Sequence, residues 1–194
     1  MIMLGYVRDG IVYLATDTTI VEKDVKANRL ASGNYKIKKM ENGLIVGITG
    51  VPNVRQRILV RDDLFTLDKN GKLTKNYIVN KIVPALHRFL KDNDLYEIDE
   101  DGMHDPGVNI FLAYGDKLYS ISKRLWVYQV TKKTANGALR DLCESALNMI
   151  DPERDIEKQL VEIMQRATTY TNFIGGPYVT INTKDNEIHV TEAK

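Results

Sequence analysis

Short apolar runs broken by turn residues open the chain. Residues 2–8 and 11–16 read as two strands. Arg8-Asp9-Gly10 supplies the turn between them, since Asp-Gly favours the positive φ angles of a tight hairpin. Residues 18–34 are polar and mixed and read as a long connection. Tyr35 to Met40 then alternates, Glu41-Asn42-Gly43 turns, and Leu44 to Thr49 runs apolar, a second hairpin with a buried latter strand. From Gly50 to Leu64 a turn becomes helical, with Val54, Ile58 and Arg61 on one row and Leu59 beside them. A longer helix is expected over 75–91 from the spacing of Tyr77, Ile78, Ile82, Ala85, Leu86 and Phe89. Pro84 predicts a break near Val83.

Residues 92–107 are acidic and rich in turn formers, and read as a loop. Strands over 108–114, 117–122 and 125–130 form a meander. In the last of these, Trp126 and Tyr128 alternate with Leu125 and Val127, so one pair faces the core and the other faces outward. A helix is expected from Thr134 to Met149. A second begins at Asp151-Pro152-Glu153, with Asp as N-cap and Pro at the first helical position, and carries Ile156, Leu160, Ile163, Met164 and Ala167 on one face. Residues 178–182 and 187–191 close the chain as a last hairpin. Helices come in blocks rather than between every pair of strands. That pattern argues for antiparallel sheets in an α+β fold.

Composition adds limits. The chain has 194 residues, 43% hydrophobic and 27% charged, enough for a full core. Lys and Arg number 27 against 26 Asp and Glu, a net charge of +1, which gives no support for a nucleic-acid or membrane partner. The lone Cys143 excludes an internal disulfide framework. Neither a signal peptide nor a membrane-length apolar run is visible, so a cytoplasmic location is expected. His87, His104 and His189 show no metal-ligand spacing, and no metal or cofactor is expected.

The order of elements, with a first hairpin ending in Ala15-Thr16-Asp17, resembles the N-terminal-nucleophile (Ntn) hydrolases. Within them it is similar to the proteasome β-subunits and the heat-shock protease subunit HslV. Gly5, the run Gly10 to Asp17, Asn34 to Met40, Leu44 to Gly50, and Tyr170-Thr171-Asn172 carry the likeness. The resemblance implies a four-layer αββα sandwich, two antiparallel sheets flanked by helices, as a single domain over 1–194. It also implies a homo-oligomer, commonly a ring, whose helix faces stack.

In that family the side chain of residue 1 is the nucleophile, and its own α-amino group is the base. A lysine ammonium lowers the amine's proton affinity, an aspartate fixes the lysine, and backbone N–H groups hold the oxyanion. Carried over, Asp17 matches the acid and Lys36 the lysine, and Gly47 to Gly50 (Gly47 and Gly50 in particular) lie where the oxyanion turn belongs. The family's Gly-Ser-Gly run matches Val130-Thr131-Lys132-Lys133-Thr134, where Thr131 or Thr134 offers a hydroxyl. The nucleophile's position holds Met1, whose thioether has no proton to give. Removing one residue would expose Ile2, and removing three would expose Leu4. Ser32-Gly33 and Cys143 lie far from the terminus in sequence.

The expected function is a proteasome-like subunit without its nucleophile, a pseudoenzyme acting through assembly or partner binding. Two alternatives stand beside it. One is an active threonine-type peptidase or amide hydrolase using Thr16, Thr18 or Thr131, or an unexpected cleavage. The other is an unrelated α+β binding module.

Overall fold

The computed structural model describes residues 1–22, 25–29, 35–98 and 104–192. The first hairpin pairs β1 (Ile2–Arg8) with β2 (Ile11–Asp17), and its turn has positive φ at Asp9 (49°) and Gly10 (76°). β3 (Thr19–Glu22) and β4 (Val25–Arg29) form a separate two-stranded ribbon in the stretch read as a connection. Among the described residues its two strands pair only with each other. Ser32 and Gly33 lie outside the described residues. β5 (Ile37–Lys39) and β6 (Ile45–Gly50) follow as the second hairpin, and α1 (Pro52–Leu59) starts directly after it.

The long helix expected next is α2 (Lys75–Tyr77), a π-helical turn (Ile78–Ile82) and α3 (Val83–Asp92) in continuous succession. The wider turn accommodates Pro84, which has no N–H and crowds the preceding turn. β7 (Glu97–Ile98) and β8 (His104–Asp105) form a minimal ribbon within the acidic stretch read as a loop. The meander is β9 (Val108–Tyr114), β10 (Lys117–Ile121) and β11 (Val127–Val130). In it Leu125 and Val127 pack on the core, while Trp126 and Tyr128 are exposed.

Two helix expectations need correction. Residues 134–139 are not helical: β12 (Lys133–Gly137) pairs with β1, and α4 (Arg140–Ala146) begins after it. β12 is a strand because of its partner β1, which lies far away in the sequence. The helix placed at Asp151 is α5 (Ile156–Ala167), whose N-cap is Asp155 accepting from the Lys158 N–H. Asp151 instead lies early in the loop before α5, tied by its backbone to the Gln159 amide. β13 (Tyr178–Asn182) and β14 (His189–Thr191) close the chain.

The strands build two five-stranded antiparallel sheets, ordered β12-β1-β2-β13-β14 and β11-β10-β9-β6-β5. Alternation along β1 shows how they stack. Ile2, Leu4 and Tyr6 point to α4 and α5, while Met3 points to the other sheet, packing with Leu14, Ile45, Phe111, Leu118 and Ile181. The outer face of the second sheet meets α1 and α3 through Ile48, Ile58, Ile110, Leu86 and Leu90. The four layers are therefore helix, sheet, sheet, helix. Each such aliphatic side chain contributes on the order of 1.5–3 kcal/mol by leaving water. Among the described residues no helix is long and apolar enough to cross a membrane.

Candidate functional site

β1 runs between β12 and β2, so residue 1 emerges at the end of the first sheet between two neighbours. Its carbonyl accepts the Ala138 N–H at 2.8 Å, and its amino group donates to the Phe173 carbonyl. β2 ends at Asp17 because that carboxylate is needed inside. It is fully buried. Its Oδ1 accepts from the Ile2 N–H at 2.8 Å and from Lys36 Nζ at 2.7 Å, and Oδ2 accepts from the Thr19 N–H at 3.1 Å. Lys36 sits one residue before β5, also fully buried, with its carbonyl held by the Ile48 N–H. Its ammonium gives a second hydrogen bond to the Thr19 carbonyl at 2.8 Å. Of the lysine run, Lys36 is thus the inward residue. Lys38 reaches Asp62, and Lys39 is exposed.

Arg55 joins them from α1. It is buried to 1% exposure, and its Nη1 lies 3.6 Å from the Met1 sulfur. Burial pulls the Met1 amine down from 8.0 to about 6; the Asp17 charge opposes this and Lys36 adds to it. Burial likewise lowers Lys36 from 10.5 to about 8, against the charge and hydrogen bond of Asp17 and with the help of Arg55. Arg55 is lowered by burial, with Asp17 opposing. At neutral pH the result is a largely uncharged amine beside a buried ammonium.

A cavity of about 280 Å³ opens beside Met1, walled by Thr49, Gly50, Arg55, Asn136 and Phe173 among others. Gly50 ends β6 there with φ of 117°, and a Cβ on it would stand 1.9 Å from the Gly107 carbonyl oxygen, so only glycine fits. Gly47 is not part of that turn. It lies within β6 opposite Ile37 and Phe111, and the Met3 sulfur fills the space over it.

Thr131 is likewise not at the site: it is exposed in the link between β11 and β12, and Lys133 reaches Glu144 and Asn148 instead. The stretch beside Met1 is Asn136-Gly137-Ala138. Thr134 is buried in β12 opposite Gly5. The candidate hydroxyls of Thr16 and Thr18 donate to backbone carbonyls, of Ile2 at 2.8 Å and Pro177 at 2.9 Å, and neighbouring Thr19 donates to Gly175 at 3.0 Å. Cys143 lies on the buried face of α4, in the cluster with Ile2, Leu4 and Leu147.

Arg55, Asn136 and Phe173 were missed by sequence reasoning. Arg55 gave a signal, since it lies four residues before Leu59 on a row of α1 that turns inward. Away from the cavity, His189 joins Glu157 and Asp185 in a cluster whose ligand-type atoms lie within 4.8 Å of one another. There Glu157 hydrogen-bonds His189 Nδ1 at 2.7 Å and holds the imidazole above its usual range.

No family model and no curated protein matches the sequence. Solved structures do match the fold. The Thiobacillus denitrificans protein BPH superposes with a TM-score of 0.73 at 18% identity, over 100% of this chain and 99% of that one. BPH in complex with epoxomicin gives 0.71 at 18% identity, with 100% of both chains covered. HslV from Trypanosoma brucei gives 0.64 at 15% identity, over 94% of this chain and 98% of that one. The fold is the Ntn-hydrolase sandwich of the proteasome and HslV type.

Proposed function

We propose that this chain is a proteasome-subunit or HslV-like protein whose nucleophile position is filled by Met1, and that it is catalytically silent. One observation carries the reading. Beside the buried Asp17–Lys36 pair, where a nucleophile would stand, the side chain is a thioether, with no O–H or S–H to activate. In this reading Asp17 and Lys36 are retained site positions that now serve the fold around residue 1, and Gly50 retains the oxyanion turn. The hydroxyl route is disfavoured because the Thr16, Thr18 and Thr19 protons already go to carbonyls.

The protein acts as an assembly or partner-binding subunit, a single domain over 1–194, homo-oligomeric as a ring in the cytoplasm. It uses no cofactor, nucleic acid or membrane. Its partner is a protein.

The test is mass spectrometry of purified protein, intact and native, with and without epoxomicin, alongside a panel of fluorogenic peptides. The expected result is an oligomer of subunits beginning at Met1, with no covalent adduct and no turnover. A subunit trimmed to a Thr, Ser or Cys terminus, or an adduct on the untrimmed chain, overturns the silent reading. A monomer at micromolar concentration overturns the ring.

A further inference from the structure

The cavity beside Met1 contains a charge that its own walls do not balance. Asp17 is already committed to Lys36 and to two backbone N–H groups. Arg55 remains. Its side chain is 1% exposed, Nη2 is buried with no hydrogen-bond partner among the described residues, and Nη1 meets only the weak acceptor sulfur of Met1 at 3.6 Å. Across Asp17, Lys36 and Arg55 the side-chain charge is one positive unit in excess. A guanidinium buried without an anion is costly, so the arrangement is complete only with an acceptor present.

We infer that the cavity is a receptor for a monoanionic carboxylate, held by the Arg55 guanidinium. Three features select that chemistry. The guanidinium fork matches the two oxygens of a carboxylate. With the Met1 amine lowered to about 6 and so largely uncharged at neutral pH, the uncompensated charge is single, which suits a carboxylate better than a phosphate dianion. The rest of the wall offers neutral polar groups: Thr49, Asn136, and Asn109, whose amide oxygen accepts the Lys123 N–H and leaves its NH2 free to donate. A cavity of about 280 Å³ takes a small acid or the end of a peptide. The inference rests on the reading of this cavity as one that binds rather than reacts. The two fail separately: hydrolysis would end that reading, and absence of carboxylate binding ends this one.

The experiment compares N-acetylglycine, neutral N-acetylglycinamide and inorganic phosphate by calorimetry and thermal shift on the full chain. N-acetylglycine is expected to bind in the millimolar range and raise the melting temperature, and the amide and phosphate to bind at least about tenfold more weakly. Arg55→Met should abolish binding while leaving the melting temperature equal or higher, because it removes an unbalanced buried charge. If Arg55→Met does not fold, Asn136→Leu narrows the cavity instead and should weaken binding about tenfold. Equal binding of acid and amide, phosphate binding as tightly as the acid, or no binding by wild type each overturn the proposal. So does a folded Arg55→Met that still binds. Acetyl-trialanine with a free carboxyl terminus separates the sources. Binding about tenfold tighter than N-acetylglycine identifies a peptide end as the ligand, and equal or weaker binding identifies a free small acid.

Discussion

Breaking the Asp17–Lys36 pair from each side should cost different amounts. Both side chains are fully buried, 2.7 Å apart. Lys36→Met leaves the Asp17 carboxylate with the Ile2 and Thr19 N–H groups and with Arg55 nearby, so the stranded charge is partly answered. The loss should sit near the low end for a broken buried pair, about 3 kcal/mol. Asp17→Asn is worse. It leaves Lys36 with neutral acceptors only, beside Arg55 and no anion. The amide also has one oxygen where the carboxylate had two, so one backbone N–H loses its partner. About 5 kcal/mol is expected, the broken pair plus an unsatisfied donor. The double variant, neutral on both sides, should recover at least about 2 kcal/mol of the Asp17→Asn loss.

Urea unfolding of the four proteins at pH 7 measures this. A pH series adds a second, independent reading. Lys36 has its folded pKa lowered to about 8 from 10.5, so between those values the unfolded chain binds more protons than the folded one. Stability therefore rises as pH goes from about 8 to 10.5, by roughly 3 kcal/mol from this group, and that gain is lost again as pH falls through 8. The rise must be absent from Lys36→Met. Additive single-variant losses within about 0.5 kcal/mol, or a cheaper Asp17→Asn, would refute the coupling described here.

Other outcomes follow from the same geometry. Gly50→Ala should destabilise by about 3 kcal/mol in urea unfolding, since its Cβ meets the Gly107 backbone and its φ is 117°. Gly47→Ala should cost only about 1 kcal/mol, because the atom in its way is the end of the flexible Met3 side chain. Cys143, raised by burial from 9.0 to about 11, should resist iodoacetamide at pH 8 and react only in denaturant. By NMR titration His189 should titrate above 6.5, and Glu157→Gln should lower it. The stability this pair contributes is full below pH 6.5 and fades as pH rises through the raised value.

The parts of the fold with local signatures were legible. The Asp-Gly hairpin, the apolar β6 and the meander each advertise themselves through turn chemistry and period, and Pro84 announced the irregular turn before α3. β12 was not legible, because its reason to be a strand is β1, more than a hundred residues away in sequence. Thr131 was reached by matching the family's Gly-Ser-Gly run to residues 130–134, whereas the stretch that lines the cavity is Asn136-Gly137-Ala138. Asp17 and Lys36 were reached only through resemblance. Alone, an aspartate at a strand end and a lysine among lysines look like surface residues. Gly47 and Gly50 were indistinguishable as glycines, and only register separates a mid-strand position from a turn.

The two sheets differ in when they can form. The sheet of β5, β6, β9, β10 and β11 draws on one stretch, residues 37–130, and can assemble as that stretch leaves the ribosome. The other sheet joins Ile2 to Gly137 and Asp17 to Tyr178, so its central hairpin waits for most of the chain to be synthesised. Residue 1 and its neighbours are brought together last. The cavity is thus a record of completed folding, present only in molecules whose two halves have already met, and a nascent or truncated chain has the pieces of the site without the site.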